Sequence, residues 1–298
     1  DNGEGGWACE PWCQLEMPVT QTLAATAAAD SNKAVVVIGR TAGEDRDNAA
    51  TEGSYYLTST EKEMLRNVYS HFKNVIVVLN VSNIIDMNFM QDSDHIKAVV
   101  YAWQGGMEGG NGTADVLTGK EVFQGKLTDT IAKKITDYPA DINHGGKEKN
   151  VYQEDIYVGY RYFETFAQDT VLYPFGYGLS YTEFSISDNA IQVSGCGTQM
   201  IFHFTCKVKN TGTVYCGRET VQLYVEKPSG GMGRPARELI GFAKTRKLNC
   251  LEEENIQIDI PVYRLASFDD SGISRYKNAY VLEAGTYRFH AGANVRNT

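Results

Sequence analysis

The sequence has no hydrophobic run long enough to cross a membrane and no block of basic residues. Its longest apolar stretches, such as residues 34–38 (AVVVI), are far shorter than the ~20 residues of a membrane-spanning helix. The chain carries 28 Lys+Arg against 37 Asp+Glu, a net charge of -9. Since phosphate backbones and anionic lipids repel such a chain, the composition argues against partners that are nucleic acids or membranes.

Cysteine and histidine are also sparse. Six cysteines are too few for a disulfide scaffold in 298 residues, and the pair Cys9 and Cys13 has no second pair at zinc-site spacing. The five histidines are scattered, so neither a metal nor any other cofactor is expected. Cysteines that form neither a disulfide scaffold nor a metal site, together with the absence of a visible leader, favour a cytoplasmic location. The first residue is Asp1 rather than Met, which suggests a start partway through a longer gene product.

Three apolar runs in the first half of the chain predict buried strands. They cover residues 34–39, 75–79 and 96–103, and the first is expected to be buried on both faces. Helical patterns lie between and after them, which predicts parallel strands joined by crossover helices, an open α/β arrangement. Because three strands make a thin sheet, we expect an uncovered sheet edge and an exposed apolar face.

Two helices are predicted in this half. Thr58 and Glu61 have the spacing of a capping box, in which each side chain binds the other residue's backbone N–H. The helix that follows has an apolar face formed by Met64, Leu65, Val68 and Phe72. A second helix is predicted over residues 108–117.

From about Phe184 the apolar residues alternate with polar ones, which is typical of half-buried strands. Turn signals separate the alternating segments and predict a β-sandwich. Residues 151–181 are rich in Tyr and Gly, too aromatic for a free linker, and are expected to pack on both neighbours. The predicted domains are therefore an α/β domain at 1–150, a connector at 151–183 and a β-sandwich at 184–298. The alternating segments are residues 202–209, 220–225, 256–260 and 287–291.

The loop after the first strand carries three carboxylates, Glu44, Asp45 and Asp47. Ligands of open parallel sheets bind beyond the carboxyl ends of the strands, where this loop is expected. A proton-transferring acid needs a raised pKa, which an apolar wall or a nearby like charge supplies. From the residues alone, a solvated loop with paired charges and a catalytic acid both remain open.

The glycine-rich turn at residues 105–110 follows a strand and opens a helix, the position of a phosphate cradle. It matches neither the dinucleotide-binding nor the P-loop spacing, and Glu108 would face the anion with like charge. Close packing of helix on strand is therefore the favoured interpretation. The alternative interpretation, a flavodoxin-like nucleotide-binding domain, is supported only by the strand–helix pattern. The G-x-S-x-G motif of a serine nucleophile is absent.

Several segments, in order along the chain, resemble motifs of glycoside hydrolase family 3. The strand and loop at 35–44 (VVVIGRTAGE) resemble the acid/base loop of that family, and the tail resembles the fibronectin type III-like domain of many of its β-glucosidases. The resemblance runs from about Trp7 to the C-terminus. The other matching segments are 53–58 (GSYYLT), 103–110 (WQGGMEGG), 114–119 (ADVLTG), 157–163 (YVGYRYF) and 173–181 (YPFGYGLSY).

The resemblance implies a portion of a retaining β-glycosidase, a β-glucosidase above all, acting on a β-linked glucoside or oligosaccharide. In this family an Asp nucleophile lies on a (β/α)8 barrel and the acid/base Glu lies on the α/β sandwich domain, which places that role on Glu44. Arg46 and Asp47 become candidates for contacting the leaving-group side of the substrate. Asp45 departs from the usual Gly, which either raises the pKa of Glu44 or marks a different subgroup.

The resemblance also implies missing parts. No barrel is encoded in the 298 residues, so the active site requires a barrel on a second chain or an adjoining segment. The first strand–helix units of the sandwich domain are absent too. Residues 124–130 (QGKLTDT) resemble the members with swapped domain order, in which the barrel would follow Thr298. The rival interpretation is a non-catalytic carbohydrate-binding or assembly module, and a homo-oligomer is open in either case.

Overall fold

The computed structural model describes residues 15–40, 48–146, 148–228 and 230–298. They form two compact units. The first extends to Leu117 and includes Lys133–Ile135, and the second comprises Thr118–Ala132 and Thr136–Thr298. None of the helices in these ranges has both the length and the apolar character needed to cross a membrane.

Within the described residues, the first unit is a three-stranded parallel sheet accompanied by three α-helices, one of which connects the first two strands. The strand order is β1-β2-β3, with β2 in the centre, and both pairings are parallel. The predicted parallel strands are therefore confirmed, as is a crossover helix between β1 and β2, whereas only a short 3-10 helix (Asn88–Gln91) lies between β2 and β3. In chain order the elements are α1 (Gln21–Asp30), β1 (Lys33–Gly39), α2 (Ser59–His71), β2 (Asn74–Asn80), β3 (Ile96–Tyr101) and α3 (Gly109–Leu117).

Helix α2 begins at the predicted capping box. The Thr58 hydroxyl accepts from the backbone N–H of Glu61 at 3.1 Å, and the Glu61 carboxylate accepts from the backbone N–H of Thr58 at 2.7 Å. The predicted apolar face is buried in full, and the helix packs on β1 and β2. Sequence reasoning missed α1, an alanine-rich helix whose first turn is capped by the Thr20 hydroxyl.

Strand β1 corrects one prediction. Val36 and Ile38 are buried, whereas Val35 and Val37 are 54% and 53% exposed. The expected burial on both faces is wrong, because successive side chains of a strand point to opposite faces and one of these faces is open. Within the described residues β1 also has β2 as its only strand neighbour. The expected open sheet edge and exposed apolar face are thus confirmed.

The second unit contains a β-sandwich, as predicted. Two antiparallel sheets, with strand orders β10-β7-β6 and β13-β8-β9, enclose one core that includes Val208, Leu223 and Ile260. Two short pairs, β4–β5 and β11–β12, accompany them. The elements are β4 (Ile131–Ala132), α4 (Tyr160–Phe166), β5 (Val171–Tyr173), β6 (Phe184–Ser194), β7 (Ile201–Asn210), β8 (Thr220–Glu226), β9 (Glu238–Lys244), β10 (Glu253–Pro261), β11 (Ser267–Asp269), β12 (Ala279–Val281) and β13 (Arg288–Gly292).

Strand β8 is buried on both faces, unlike the half-buried strand that its alternation predicts. Gln222 and Tyr224, expected on a polar face, are almost fully buried. The Gln222 amide donates to the carbonyl oxygens of Gly176 at 3.2 Å and Ala293 at 2.7 Å, and the Tyr224 hydroxyl donates to Gln222 Oε1 at 2.5 Å. Burial raises the pKa of Tyr224 well above its usual value. Part of the Tyr- and Gly-rich stretch, including Tyr160 with its ring centroid 6.0 Å from that of Tyr224, covers this face.

Candidate functional site

The three candidate site residues Glu44, Arg46 and Asp47 lie outside the described residues. The structure does describe both stems of their loop. The first stem ends at Arg40, directly after β1, and the second begins at Asn48. The described parts of the site are therefore its two stems and the ends of the neighbouring strands.

Arg40 anchors the first stem. Its guanidinium forms a bidentate pair with the Glu61 carboxylate, with Nη1–Oε1 at 2.5 Å and Nη2–Oε2 at 2.9 Å. The remaining N–H groups donate to the carbonyl oxygens of Gly39 at 2.8 Å, Ser54 at 3.2 Å and Tyr56 at 3.3 Å. All five guanidinium donors are thus engaged, which fixes the side chain in one orientation.

The Arg40–Glu61 pair is buried. The two side chains are only 4% and 3% exposed. The same Glu61 carboxylate serves the capping box of α2, so it ties the start of that helix to the end of β1. Because a charge left unpaired in such a place is strongly destabilising, the two side chains stay paired and link the end of β1 to the start of α2.

Asn48 anchors the second stem. Its side-chain amide donates to the carbonyl oxygen of Ile84 at 2.9 Å. The backbone N–H of Ala49 donates to the hydroxyl of Ser54, a residue that is 1% exposed. The N–H of Tyr55 in turn donates to the carbonyl oxygen of Ala49 at 3.2 Å. The chain that leaves the loop is therefore bonded both to itself and to the segment after β2.

The ends of β2 and β3 are bonded into the same edge of the sheet. The N–H of Arg40 donates to the carbonyl oxygen of Asn80 at 3.1 Å. The Tyr101 hydroxyl, at the end of β3, accepts from the N–H of Ile85 at 3.1 Å and donates to the carbonyl oxygen of Asn83 at 2.8 Å. The carboxyl ends of all three strands are joined there, where open parallel sheets bind ligands.

A narrow crevice lies between these segments. Its lining residues come from both stems and from the loop after β2, and they are Arg40, Asn48, Ser54, Ser82, Asn83 and Ile85. Among the described residues no group of three or more His, Cys, Asp or Glu side chains is placed to hold a metal ion. What this arrangement supplies chemically is support, since Arg40 and Asn48, which flank residues 41–47, are both fixed by hydrogen bonds.

Trp103 follows β3 with a backbone φ of 56°, a left-handed conformation that non-glycine residues rarely adopt. Its ring centroid lies 4.4 Å from that of Tyr101. Backbone strain of this kind concentrates at functional sites. Sequence reasoning gave Trp103 no role, and no residue pattern signals the unusual φ.

A close approach explains the first glycine of the glycine-rich turn, although it lies between the turn and the start of α3 rather than between helix and strand. A Cβ added to Gly105 would lie 2.6 Å from the Cα of Gly109, the first residue of α3, whereas one added to Gly106 would meet nothing within 4 Å. The Glu108 carboxylate accepts from the Asn111 amide at 2.5 Å. Only the first glycine of the turn is therefore required by a close approach of backbone to backbone.

Comparison with known proteins identifies relatives over the whole chain. Residues 18–181 match the model described as the glycosyl hydrolase family 3 C-terminal domain, and residues 219–295 match a fibronectin type III-like domain. A β-glucosidase of Ruminococcus albus is 50% identical over 297 residues, which cover 100% of this chain and 30% of the relative. β-Glucosidase A of Butyrivibrio fibrisolvens is 38% identical over 319 residues, 95% of this chain and 38% of the relative.

Solved structures give the same result. A β-glucosidase from Paenibacillus barengoltzii superposes with a TM-score of 0.96 at 52% identity, over 100% of this chain and 32% of that one. β-Glucosidase 3B from Thermotoga neapolitana, in complex with glycerol, superposes with a TM-score of 0.86 at 35% identity, over 97% of this chain and 40% of that one. The chain spans 30% to 40% of the length of these four relatives. Since the family model covers more than half of it, the chain belongs to glycosyl hydrolase family 3.

Proposed function

We propose that this chain is the part of a retaining β-glucosidase that supplies the general acid/base, Glu44, to an active site completed by a (β/α)8 barrel. The observation that most strongly supports this proposal is the alignment of the whole chain, at 50% identity, with less than a third of a β-glucosidase. The remainder of such a protein has the length to hold the barrel and its Asp nucleophile. A β-linked glucoside or oligosaccharide is the proposed substrate.

In the first step of a retaining mechanism, the protonated Glu44 carboxyl gives its proton to the departing glycosidic oxygen while the nucleophilic Asp attacks the anomeric carbon. In the second step the Glu44 carboxylate takes a proton from the water that releases the sugar. The same residue serves both steps because it leaves the first step deprotonated. Asp45 beside it is a like charge, which favours the protonated form needed at the start.

The stems support this assignment on physical grounds. The two carboxyl groups of a retaining site lie about 5 to 5.5 Å apart, so a loop that carries one of them must be held closely in position. Arg40 and Asn48, which flank residues 41–47, donate to the backbone carbonyl oxygens of Ser54 and Ile84. Arg46 and Asp47, near the second stem, are proposed to contact the leaving-group side of the substrate.

Native mass spectrometry of the purified protein tests the proposal, followed by an assay with an aryl β-glucoside. If the chain of 33.0 kDa travels with a barrel-bearing polypeptide, that assembly is expected to hydrolyse the substrate, and the chain freed from it is not. If the chain travels alone or with copies of itself and a barrel supplied in trans restores no hydrolysis, the proposal fails. The non-catalytic carbohydrate-binding or assembly module then takes its place.

A further inference from the structure

Three polar side chains meet on the outer face of the β10-β7-β6 sheet. His203 of β7 lies directly opposite Asp259 of β10 in the strand register, and Ser194 ends the third strand, β6. Phe204 and Ile260, the next residues along β7 and β10, are buried in the core of the sandwich. Since successive side chains of a strand point to opposite faces, His203 and Asp259 lie on the solvent side.

The three side chains form a continuous chain of hydrogen bonds. Ser194 Oγ lies 2.7 Å from His203 Nε2, and His203 Nδ1 lies 2.7 Å from Asp259 Oδ1. Because an ionised carboxylate can only accept, Nδ1 carries the hydrogen of the neutral imidazole, and Nε2 accepts from the Ser194 hydroxyl. The hydroxyl, imidazole and carboxylate are therefore connected as in the catalytic triad of serine hydrolases, which is recognised by geometry rather than by a sequence motif.

The Asp259 carboxylate is held in one orientation and in its ionised form. The Gln257 amide donates to Asp259 Oδ1 at 2.8 Å. The hydrogen bond with His203, followed by the one from Gln257, holds the pKa of the Asp259 carboxyl below its usual range. An ionised Asp259 fixes the imidazole and stabilises the imidazolium that forms when His203 takes a proton.

The turn after Ser194 offers hydrogen-bond donors for a negatively charged oxygen. Gly195 has a φ of 73°, and a Cβ added to it would collide with the carbonyl oxygen of Gln199, so the turn requires glycine. Within the described residues, the backbone N–H groups of Gly195 and Cys196 have no hydrogen-bond acceptor. In serine esterases the N–H of the residue after the nucleophile stabilises the oxyanion of the tetrahedral intermediate.

We propose that Ser194, His203 and Asp259 form an esterase site for short-chain carboxylic esters, an activity beyond the proposed function and using none of its residues. Ser194 is exposed and the His203 side chain is 28% exposed, so the site is open to solvent. A small ester that needs no enclosing pocket is the class of substrate that fits such a site.

The reaction follows the two steps of acyl transfer. Ser194 Oγ attacks the carbonyl carbon of the ester while His203 Nε2 takes the hydroxyl proton. The bond from the carbonyl carbon to the alcohol oxygen then breaks, and His203 returns the proton to the departing alcohol, which leaves the acyl group on Ser194. In the second step His203 takes a proton from water, the hydroxide attacks the acyl group, and the proton passes to Ser194 Oγ as the carboxylic acid departs.

Labelling of the 298-residue chain with diisopropyl fluorophosphate, a reagent for activated serine hydroxyls, tests the proposal. Peptide mapping by mass spectrometry is expected to find the phosphoryl group on Ser194, and Ser194→Ala should abolish the labelling. His203→Gln should slow it by about 10²-fold, the contribution of a general base, with a nearly unchanged melting temperature. Ser185→Ala is the matched control and should be labelled like the unaltered chain, because Ser185 is an exposed serine of the same strand that lies opposite Lys209.

Hydrolysis of p-nitrophenyl acetate is the second measurement, and Ser194→Ala should lower its turnover by at least about tenfold. An exposed histidine can attack this ester without a serine, so turnover that persists in Ser194→Ala would overturn the proposal. Phosphoryl groups on Cys196 or spread over several serines, or equal labelling rates in His203→Gln and the unaltered chain, would overturn it as well. The three side chains would then only join the strands by hydrogen bonds.

Discussion

Replacing Arg40 by Met removes the buried ion pair between the end of β1 and the start of α2, while keeping an unbranched side chain at this position. The change leaves the Glu61 carboxylate, 3% exposed, without its bidentate partner and deprives three carbonyl oxygens of their donors. Breaking a buried ion pair from one side costs about 3 to 5 kcal/mol. The free energy of unfolding of the first unit should fall by about that amount. The loss of unfolding free energy in Arg40→Lys should lie between zero and that of Arg40→Met, because a lysine keeps the charge but not the forked geometry.

Urea unfolding followed by tryptophan fluorescence measures this change. All three tryptophans, Trp7, Trp12 and Trp103, precede residue 118, so the signal reports on that part of the chain. Lys62→Met is the matched control, since it breaks the Lys62–Glu52 pair of 3.0 Å at the same end of α2, where the two side chains are 45% and 53% exposed. Exposed pairs contribute little. The reasoning is refuted if Arg40→Met shifts the midpoint no further than Lys62→Met.

Two further predictions concern other parts of the chain. Gly105→Ala forces a Cβ to 2.6 Å from the Cα of Gly109 and should lower the free energy of unfolding by about 1 to 3 kcal/mol. Gly106→Ala is the control and should leave the urea midpoint nearly unchanged, because a Cβ there meets nothing within 4 Å. Equal effects of the two substitutions would contradict the packing account. The Ser274 hydroxyl, helped by backbone N–H groups, holds the pKa of the Asp269 carboxyl well below its usual range. The Asp269 carboxylate therefore stabilises the fold at neutral pH, and this contribution fades as the pH falls from about 4 towards that lowered pKa. Melting curves of Asp269→Asn and the unaltered chain should converge in that range, and a gap that stays constant with pH would contradict the prediction.

Elements with one covered face could be predicted from the sequence. The apolar positions of α2 and the alternating residues of β7 and β10 follow the period of their own backbone, so local pattern and burial agree. The sequence-based predictions of burial fail where burial depends on residues that are distant in the sequence. The apolar run of β1 carries no sign that Val35 and Val37 face an open side, and nothing near Gln222 signals that a segment around Gly176 covers it.

Part of the candidate site could likewise be predicted from the sequence, and part could not. The capping box signals Glu61 at the start of α2, but its second role as partner of Arg40 requires the packing of α2 on β1. The left-handed backbone of Trp103 has no signature in the residue types. The roles of Glu44, Arg46 and Asp47 came from the family resemblance and stay predictions, since these residues lie outside the described part of the chain.

The measurement that tests the central claim most directly is the dependence of Glu44→Gln on the leaving group, in the barrel-containing protein. General acid catalysis contributes about 10²- to 10⁴-fold, so turnover of cellobiose should fall by at least about 10²-fold. The glycosylation step with 2,4-dinitrophenyl β-glucoside should be nearly unaffected, because that leaving group departs without a proton. Glu52→Gln, a surface carboxylate beyond the second stem, is the control and should match the unaltered protein. Equal losses on both substrates, or no loss on cellobiose, would contradict the assignment of Glu44 as the acid/base.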